Sequence, residues 1–384
     1  MYGNQASDIH FNVQTPIEEG FLKPLVNCRQ EVLFPKESAI APLALNLFFP
    51  EQSDQDYAEL LEKEVSLYAK RFQHRKLSKI WFRGSPLRRM KAGELTELAF
   101  HCNLTFPSSS GTVGESGFEC EVADVTPGNL ALMKGLRFNH ILLAMAAAIP
   151  PEKQHISSVL DLVDEYRFQE RWYRLNARDA DPDTLSCWLG TLTRHNPGMI
   201  EICHLDEMDT PIPLSQVANL MREHHYQLLG DRFFVTLNHP LMQLQQQNNL
   251  QYTPWGLCSL YTTDWLGIGL GALGKLGNGY YQNTERAERY RNQVSGKQLP
   301  VCCSGLYPDC QQKPYPWLLV SQLLCTHTIH WPESSSQSKL TRAVQTTLAN
   351  AVSKGWVQRD QEKLALTESG LDHLHTLCRN LQDS

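Results

Sequence analysis

The sequence lacks any uninterrupted apolar run of the roughly 18 residues that a membrane-crossing helix needs, so no membrane span is expected. It also lacks an excess of basic charge. With a formal net charge of -6, nucleic acid is not an expected partner. Its first residues, MYGNQASDIHFNVQTP, carry no basic flank followed by an apolar stretch, which argues against a secretory leader. There is no G-x-S-x-G elbow, no G-x-x-x-x-G-K-[ST] phosphate loop and no H-E-x-x-H pair, which removes three common hydrolase and nucleotidase chemistries. Cysteine is present but unordered. Eleven cysteines, an odd number, do not suit a disulfide scaffold, and reduced thiols in a cytoplasmic protein are expected. The closest group, Cys302, Cys303 and Cys310 in CCSGLYPDC, matches no common zinc or iron–sulfur spacing.

What remains is a 384-residue chain with 42% hydrophobic and 20% charged residues, enough for a large core. IAPLALNLFF (40–49) reads as a buried parallel strand, and DQDYAELLEKEVSLYAKRF (54–72) as a helix with an apolar stripe. Strand and helix then alternate. Strands are expected at 77–82, 118–125, 139–145, 199–205 and 226–235, and helices at 90–104, after Thr126-Pro127, near 183–195 and at 215–225. The segments 107–117 and 240–251 read as polar loops. Beyond about residue 310 the pattern becomes a helix, a short hairpin in WVQRDQEKLAL and a final helix opened by Thr367, a winged-helix-like layout. That last helix has one arginine and no lysine, which argues against nucleic-acid binding.

One run poses a question. Gly269 to Gly274, GLGALG, satisfies the G-x-G-x-x-G dinucleotide fingerprint. It comes after the α/β repeats, however, and GKLGNGYYQN follows it where a helix should open. Gly267, Gly269 and Gly271 alternate as on a strand with one bare face, where another backbone or a flat ligand can approach closely. Other polar groups stand out. They are nine Lys and Arg between Lys70 and Lys91, His204 at a strand end beside Asp206, Glu207 and Asp209, the His224-His225 pair, and His239 or Cys258 as axial heme ligands.

DWLGIGLGALGKLGNGYYQN followed by ERYRNQVSGKQLP resembles the late segment of oxygen-independent coproporphyrinogen III oxidases, which are radical S-adenosylmethionine enzymes. PLALNLFFP resembles their first barrel strand, LSKIWFRGSP the second, FECEV the third, RFNHILLAM the fourth, NPGMIEICHL the fifth and YQLLGDRFF the sixth. The resemblance implies an α/β fold: an incomplete parallel (β/α) barrel of the radical S-adenosylmethionine type with a helical, winged-helix-like C-terminal domain. The corresponding divisions are an N-terminal extension (1–39), the partial barrel (40–240), a glycine-rich family-specific segment (241–309) and the C-terminal domain (310–384).

The departures from that family are as informative. Its C-x-x-x-C-x-x-C motif is missing, because the loop after the first strand is EQSDQD (51–56). The [4Fe-4S] cluster is therefore expected to be absent and S-adenosylmethionine binding is not expected. The family's G-G-G-T-P loop reads Phe82-Arg83-Gly84-Ser85-Pro86, and its Y-G-L-P segment is sought at 159–168, where only Asp161 is kept. Residues that the resemblance places in the vacant cofactor site are Arg83, Gly84, Ser85, Glu121, Asp161 and Phe234. It implies a catalytically degenerate protein that binds heme or porphyrin, or serves an active radical enzyme as an accessory subunit. The alternative is an enzyme with non-radical chemistry built on Arg83, Glu121, Asp161 and His204. An open mouth with converging acids would favour that enzyme, and a mouth closed by Arg83 and Phe82 a scaffold.

Overall fold

The structure, a computed structural model, describes residues 26–27, 42–50, 56–72, 74–106, 114–205, 208, 211–253, 256–259, 264–277, 279–306, 316–330, 341–360 and 363–384. In chain order these form β1 (Val26–Asn27), β2 (Leu43–Phe49), α1 (Tyr57–Phe72), β3 (Leu77–Gly84), α2 (Pro86–Arg89), α3 (Ala92–Thr105), β4 (Glu115–Glu121), α4 (Pro127–Gly135) and β5 (His140–Ala146). Next come α5 (Ile156–Glu165), β6 (Glu170–Asn176), α6 (Pro182–Arg194), β7 (Met199–Cys203), α7 (Leu214–Glu223), β8 (Tyr226–Leu229), β9 (Phe233–Thr236), α8 (Pro240–Gln246), β10 (Leu250–Thr253) and β11 (Gly256–Ser259). The glycine-rich part supplies β12 (Asp264–Ile268), β13 (Leu273–Leu276), β14 (Gly279–Asn283), α9 (Ala287–Ser295) and β15 (Val301–Leu306). The end of the chain forms α10 (Pro316–Thr326), β16 (Thr328–His330), α11 (Arg342–Ser353), β17 (Val357–Asp360), β18 (Lys363–Leu366), α12 (Glu368–Asp372) and α13 (Leu374–Gln382).

Two compact units divide these elements. One contains Leu25–Ile141 and Thr263–Tyr307, the other Leu142–Thr262 and Pro308–Ser384. In the first, the strand order is β1-β15-β14-β13-β12-β2-β3-β4. The β12/β2, β2/β3 and β3/β4 pairs are parallel, and the rest of this unit's ladder is antiparallel. All seven residues of β2 are buried, as a strand covered on both faces requires. The apolar stripe of α1 (Leu60, Leu61, Val65, Tyr68, Phe72) is buried as its spacing predicts, but Glu64 lies in the same stripe and is fully buried too. Thr126 caps α4 by accepting from the Asn129 amide, with Pro127 opening the helix as expected.

In the second unit β6 and β7 run parallel. The segment 226–235 is not the single strand its apolar residues suggest. Gly230, at φ 68°, turns the chain back, so β8 and β9 form a hairpin and β9 runs antiparallel to β7. The segment 240–251 is not a loop either. Pro240 takes the first position of α8, and the His239 side chain caps it by accepting from the Leu241 amide. At the end of the chain β16, β18 and β17 make a small antiparallel sheet among α10, α11 and α13, the winged-helix-like arrangement. Thr367 caps α12 by accepting from the Gly370 amide, and the single final helix expected after it is divided at His373 into α12 and α13. Asp231, in the β8–β9 turn, pairs with His375 at 3.0 Å, and the Gly230 carbonyl lies 2.6 Å from His327 Nε2, so the hairpin is tied to the C-terminal helices.

Candidate functional site

Strand β3, LSKIWFRG, alternates. Phe82 packs on one face against Phe49 and Phe138, with ring centroids 5.3 and 5.0 Å away. Lys79, Trp81 and Arg83 project to the other. The register sets Glu115 of β4 beside Lys79, Asn46 of β2 and Gly117 of β4 beside Trp81, and Phe48 beside Arg83. This face is polar yet largely covered. The Trp81 indole rests on Gly117, where an added Cβ would come within 2.5 Å of the ring. Its Nε1 donates to Glu115 Oε1 at 2.7 Å, and Lys79 forms an ion pair with the same carboxylate. The Arg83 guanidinium stacks over the indole, 4.3 Å from the ring centroid. Burial opposes ionisation of Glu115, but the Lys79 charge and the two hydrogen bonds outweigh it and hold the carboxyl below its usual range. Burial pushes the pKa of the neighbouring His140 imidazole down. Asn46 is wholly buried on this face, and neither atom of its amide has a hydrogen-bond partner among the described residues.

At the strand ends the expected loop residues are held by the chain itself. Gly84 has φ 80°, and a Cβ there would lie 2.2 Å from the Phe49 carbonyl oxygen, so glycine is required. Ser85 Oγ donates to Glu121 Oε1 at 3.2 Å, and Arg88 pairs with Glu121 Oε2 at 2.8 Å while its Nε donates to Asp124. The structure thus brings Arg83, Gly84, Ser85 and Glu121 together. The mouth-closing role expected of Phe82 does not hold, because its ring lies on the apolar face. Nor do the nine basic residues of 70–91 form one patch. Arg75 is buried against Asp264 at 2.8 Å, Lys79 is spent on Glu115, and Arg88 on Glu121 and Asp124.

The glycine run is a hairpin, β12–turn–β13, with no helix after it. What approaches these glycines is protein rather than ligand. A Cβ on Gly267 would lie 2.1 Å from the Leu273 carbonyl oxygen, and one on Gly269 (φ 114°) 2.5 Å from the Tyr57 hydroxyl. Gly271 has φ 71° in the same turn. Beneath the turn, Glu64 accepts from the Gly269 amide (2.8 Å), Asn283 Nδ2 (2.7 Å) and the Tyr290 hydroxyl (2.6 Å). Burial pushes its carboxyl up to about 8 against the pull of those three donors.

The remaining expected residues belong to the second unit. Asp161 is not at a strand end. It lies exposed in the middle of α5, because Ile156, Leu160 and Val163 set a helical stripe there. Strand β6 follows instead, and carries Tyr173-Arg174-Leu175-Asn176. Phe234 is fully buried and shares its sheet face with Ile200 and Leu228, the face opposite Glu201. Arg174 and Arg232 clamp that glutamate at 2.7 and 3.1 Å. His204, at φ 60° after β7, has Nδ1 3.5 Å from Arg178 Nη2. Asp206, Glu207, Asp209, Cys310 and the Cys258 side chain lie outside the described residues. His224 and His225 are exposed at the C-terminal end of α7, and His239 uses Nδ1 as a helix cap. No group of three or more metal-ligating side chains occurs among the described residues.

Trp81, Glu115 and Asn46 were not singled out from the sequence as site residues, and Lys79 stood out only as one of nine basic residues. The usable signal was the period-two order Lys79-x-Trp81-x-Arg83 and Glu115-x-Gly117-x-Glu119, a polar face on strands that should be buried. The residues present do not fit a three-thiolate iron–sulfur cluster. No cysteine occurs between Cys28 and Cys102, so the segment after β2 has no thiolate to offer. Cys102 and Cys120 of this unit are buried, with thiols pushed up by burial.

No family model matches the sequence, and no curated protein sequence does. Solved structures do match. Coproporphyrinogen III oxidase (HemN) from Escherichia coli, described as a radical SAM enzyme, superposes with a TM-score of 0.77 at 18% identity, over 92% of this chain and 93% of that one. HydG, a maturase of the [FeFe]-hydrogenase, aligns over 53% of this chain and 56% of its own, with 9% identity and a TM-score of 0.33. The chain therefore has the α/β fold of the first of these, an incomplete parallel (β/α) barrel of the radical S-adenosylmethionine type with a helical, winged-helix-like C-terminal region.

Proposed function

We propose that this chain is a catalytically degenerate relative of the radical oxidase it matches in fold, working without an iron–sulfur cluster by binding a heme or porphyrin. The observation that carries this reading is Arg83 stacked 4.3 Å over Trp81 on the polar face of the first unit. Arg83 occupies the loop that is bare glycine in the family the sequence resembles. A guanidinium there repels the sulfonium of S-adenosylmethionine, and it can pair bidentately with a propionate. Non-radical enzymology on this face is less well supported, since Glu115 is neutralised by Lys79 and Glu121 is held by Arg88 and Ser85.

The test is titration of the purified chain with hemin, read by Soret absorbance and tryptophan quenching. A shift saturating near one equivalent, weakened about tenfold or more in R83E, is expected (a loss of about 1.4 kcal/mol). Unchanged Soret and tryptophan signals would overturn tetrapyrrole binding and leave the accessory-subunit reading, for which affinity capture of an active radical enzyme is the measurement.

A further inference from the structure

Consecutive residues of a regular strand point to opposite faces, which keeps adjacent cysteine sulfurs far apart. Cys302 and Cys303 on β15 depart from this. Gln282 of β14 pairs with Cys303 and Asn283 with Val301, so Cys302 is the extra residue of a β-bulge. The bulge re-aims the side chains, and the two sulfurs lie 3.9 Å apart, both exposed. On its other side β15 pairs with β1 only at Gly305 and Leu306, so no described strand covers the thiols. Arg289 of helix α9 is near enough to act electrostatically on Cys302, and it lines an open groove of about 390 Å³ with Arg286, Glu288, Asn292, Gln293 and Gln298.

We propose that Cys302 and Cys303 form a reactive vicinal dithiol that exchanges with a small anionic disulfide of the glutathione class held by Arg286 and Arg289. The proposal is independent of the tetrapyrrole reading. Cys302 is the nucleophile. The Cys303 thiol hydrogen-bonds to it and the Arg289 charge lies near, and together they bring its thiol down to about 7 against burial and Glu285. The same contact, with burial, pushes the Cys303 thiol up. The Cys302 thiolate attacks one sulfur of the disulfide, forming a mixed disulfide, and the other half leaves as a thiolate that takes a proton from water. Cys303 then loses its proton and attacks the Cys302 sulfur. The intramolecular disulfide closes and the second half leaves as a thiol. Two electrons pass from the cysteine pair to the bound disulfide, and two small thiols are released.

A thiol near 7 is about half ionised at neutral pH, where an ordinary exposed thiol near 8.5 is ionised to only a few per cent. Its lower intrinsic nucleophilicity returns part of that gain, leaving roughly a three- to fivefold advantage. The experiment treats the reduced full chain with glutathione disulfide and follows each cysteine by mass spectrometry, with exposed Cys187 of α6 as the internal reference. Wild type should lose two hydrogens at 302/303 and release two glutathiones, and C303S should stop at a mixed disulfide on Cys302. R289Q should slow capture at Cys302 about twofold or more. Phenylarsine oxide should bridge the pair in wild type and bind neither single serine variant tightly. The proposal fails if Cys302 reacts no faster than Cys187, or if C302S releases glutathione at the wild-type rate.

Discussion

Glu64 in the first unit and Asp231 in the second are both fully buried carboxylates, and their surroundings drive them in opposite directions. Glu64 accepts three hydrogen bonds, all from neutral donors, and burial still pushes it up to about 8. Burial acts on Asp231 in the same sense, but the charge of Arg232 and the hydrogen bond from His375 overcome it and hold the carboxyl near 2. At Glu64 three neutral dipoles do not offset desolvation, whereas at Asp231 an adjacent cation together with the His375 hydrogen bond does. The two carboxyls accordingly do different work. Glu64 is a dense acceptor under a glycine turn, and Asp231 is one end of a charged tie to the C-terminal helices.

The comparison breaks most sharply at Glu64. Glu64→Ala leaves the Gly269 amide, Asn283 Nδ2 and Tyr290 hydroxyl without their shared acceptor, at about 1–3 kcal/mol for each buried donor before relaxation. We expect a loss of about 4 kcal/mol, read as a lowered urea midpoint and as proteolysis at the 269–272 turn. Wild-type protection of that turn in the variant would mean the carboxylate is not what organises it.

pH sharpens the same contrast. Folded Glu64 keeps its proton up to about 8, while the unfolded carboxyl releases it near its ordinary 4.5. The folded chain binds more protons in that window, so stability falls as pH rises from about 4.5 to about 8 and levels off above it, by a few kcal/mol in all. In E64Q this slope should vanish, whatever the variant's absolute stability. Midpoints measured from pH 4 to pH 9 decide it, and an unchanged slope would assign the titration to another group.

Asp231 behaves in the opposite sense and with a smaller effect. Its folded pKa of about 2 lies below the ordinary 3.8, so its contribution is present above about 4 and is lost as pH falls through about 2. Asp231→Asn should remove about 2 kcal/mol at pH 7 and flatten the acid limb. His375→Ala should loosen the C-terminal helices in hydrogen exchange while leaving the β12–β13 turn unaffected.

What the sequence disclosed follows from periodicity. The apolar run of β2, the stripe of α1 and the cap at Thr126-Pro127 are local signals, and the structure has each in place. The hairpin at Gly230 stayed hidden because YQLLGDRFFV is apolar on both sides of one glycine, and a left-handed φ leaves no mark in a hydropathy pattern. Asp161 was misplaced because one aspartate carried the alignment where the helical spacing of Ile156, Leu160 and Val163 should have. Glu64 was legible in principle, as a lone charge inside the buried stripe of a helix. Its three donors were not, since Gly269, Asn283 and Tyr290 come from more than 200 residues away.

The mildest test returns to the polar face, where Lys79 and Trp81 share Glu115 much as Arg232 and His375 share Asp231. Trp81→Phe keeps a ring for Arg83 to stack on and for Gly117 to support, and it removes only the Nε1 donation to Glu115. Because the Lys79 cation remains, the carboxylate stays ionised and the expected loss is about 1 kcal/mol. Thermal unfolding of the full chain measures it. A loss well beyond about 2 kcal/mol would mean that the neutral indole donor, and not the lysine, keeps Glu115 charged. The contrast drawn between neutral and charged partners would then hold for Asp231 alone.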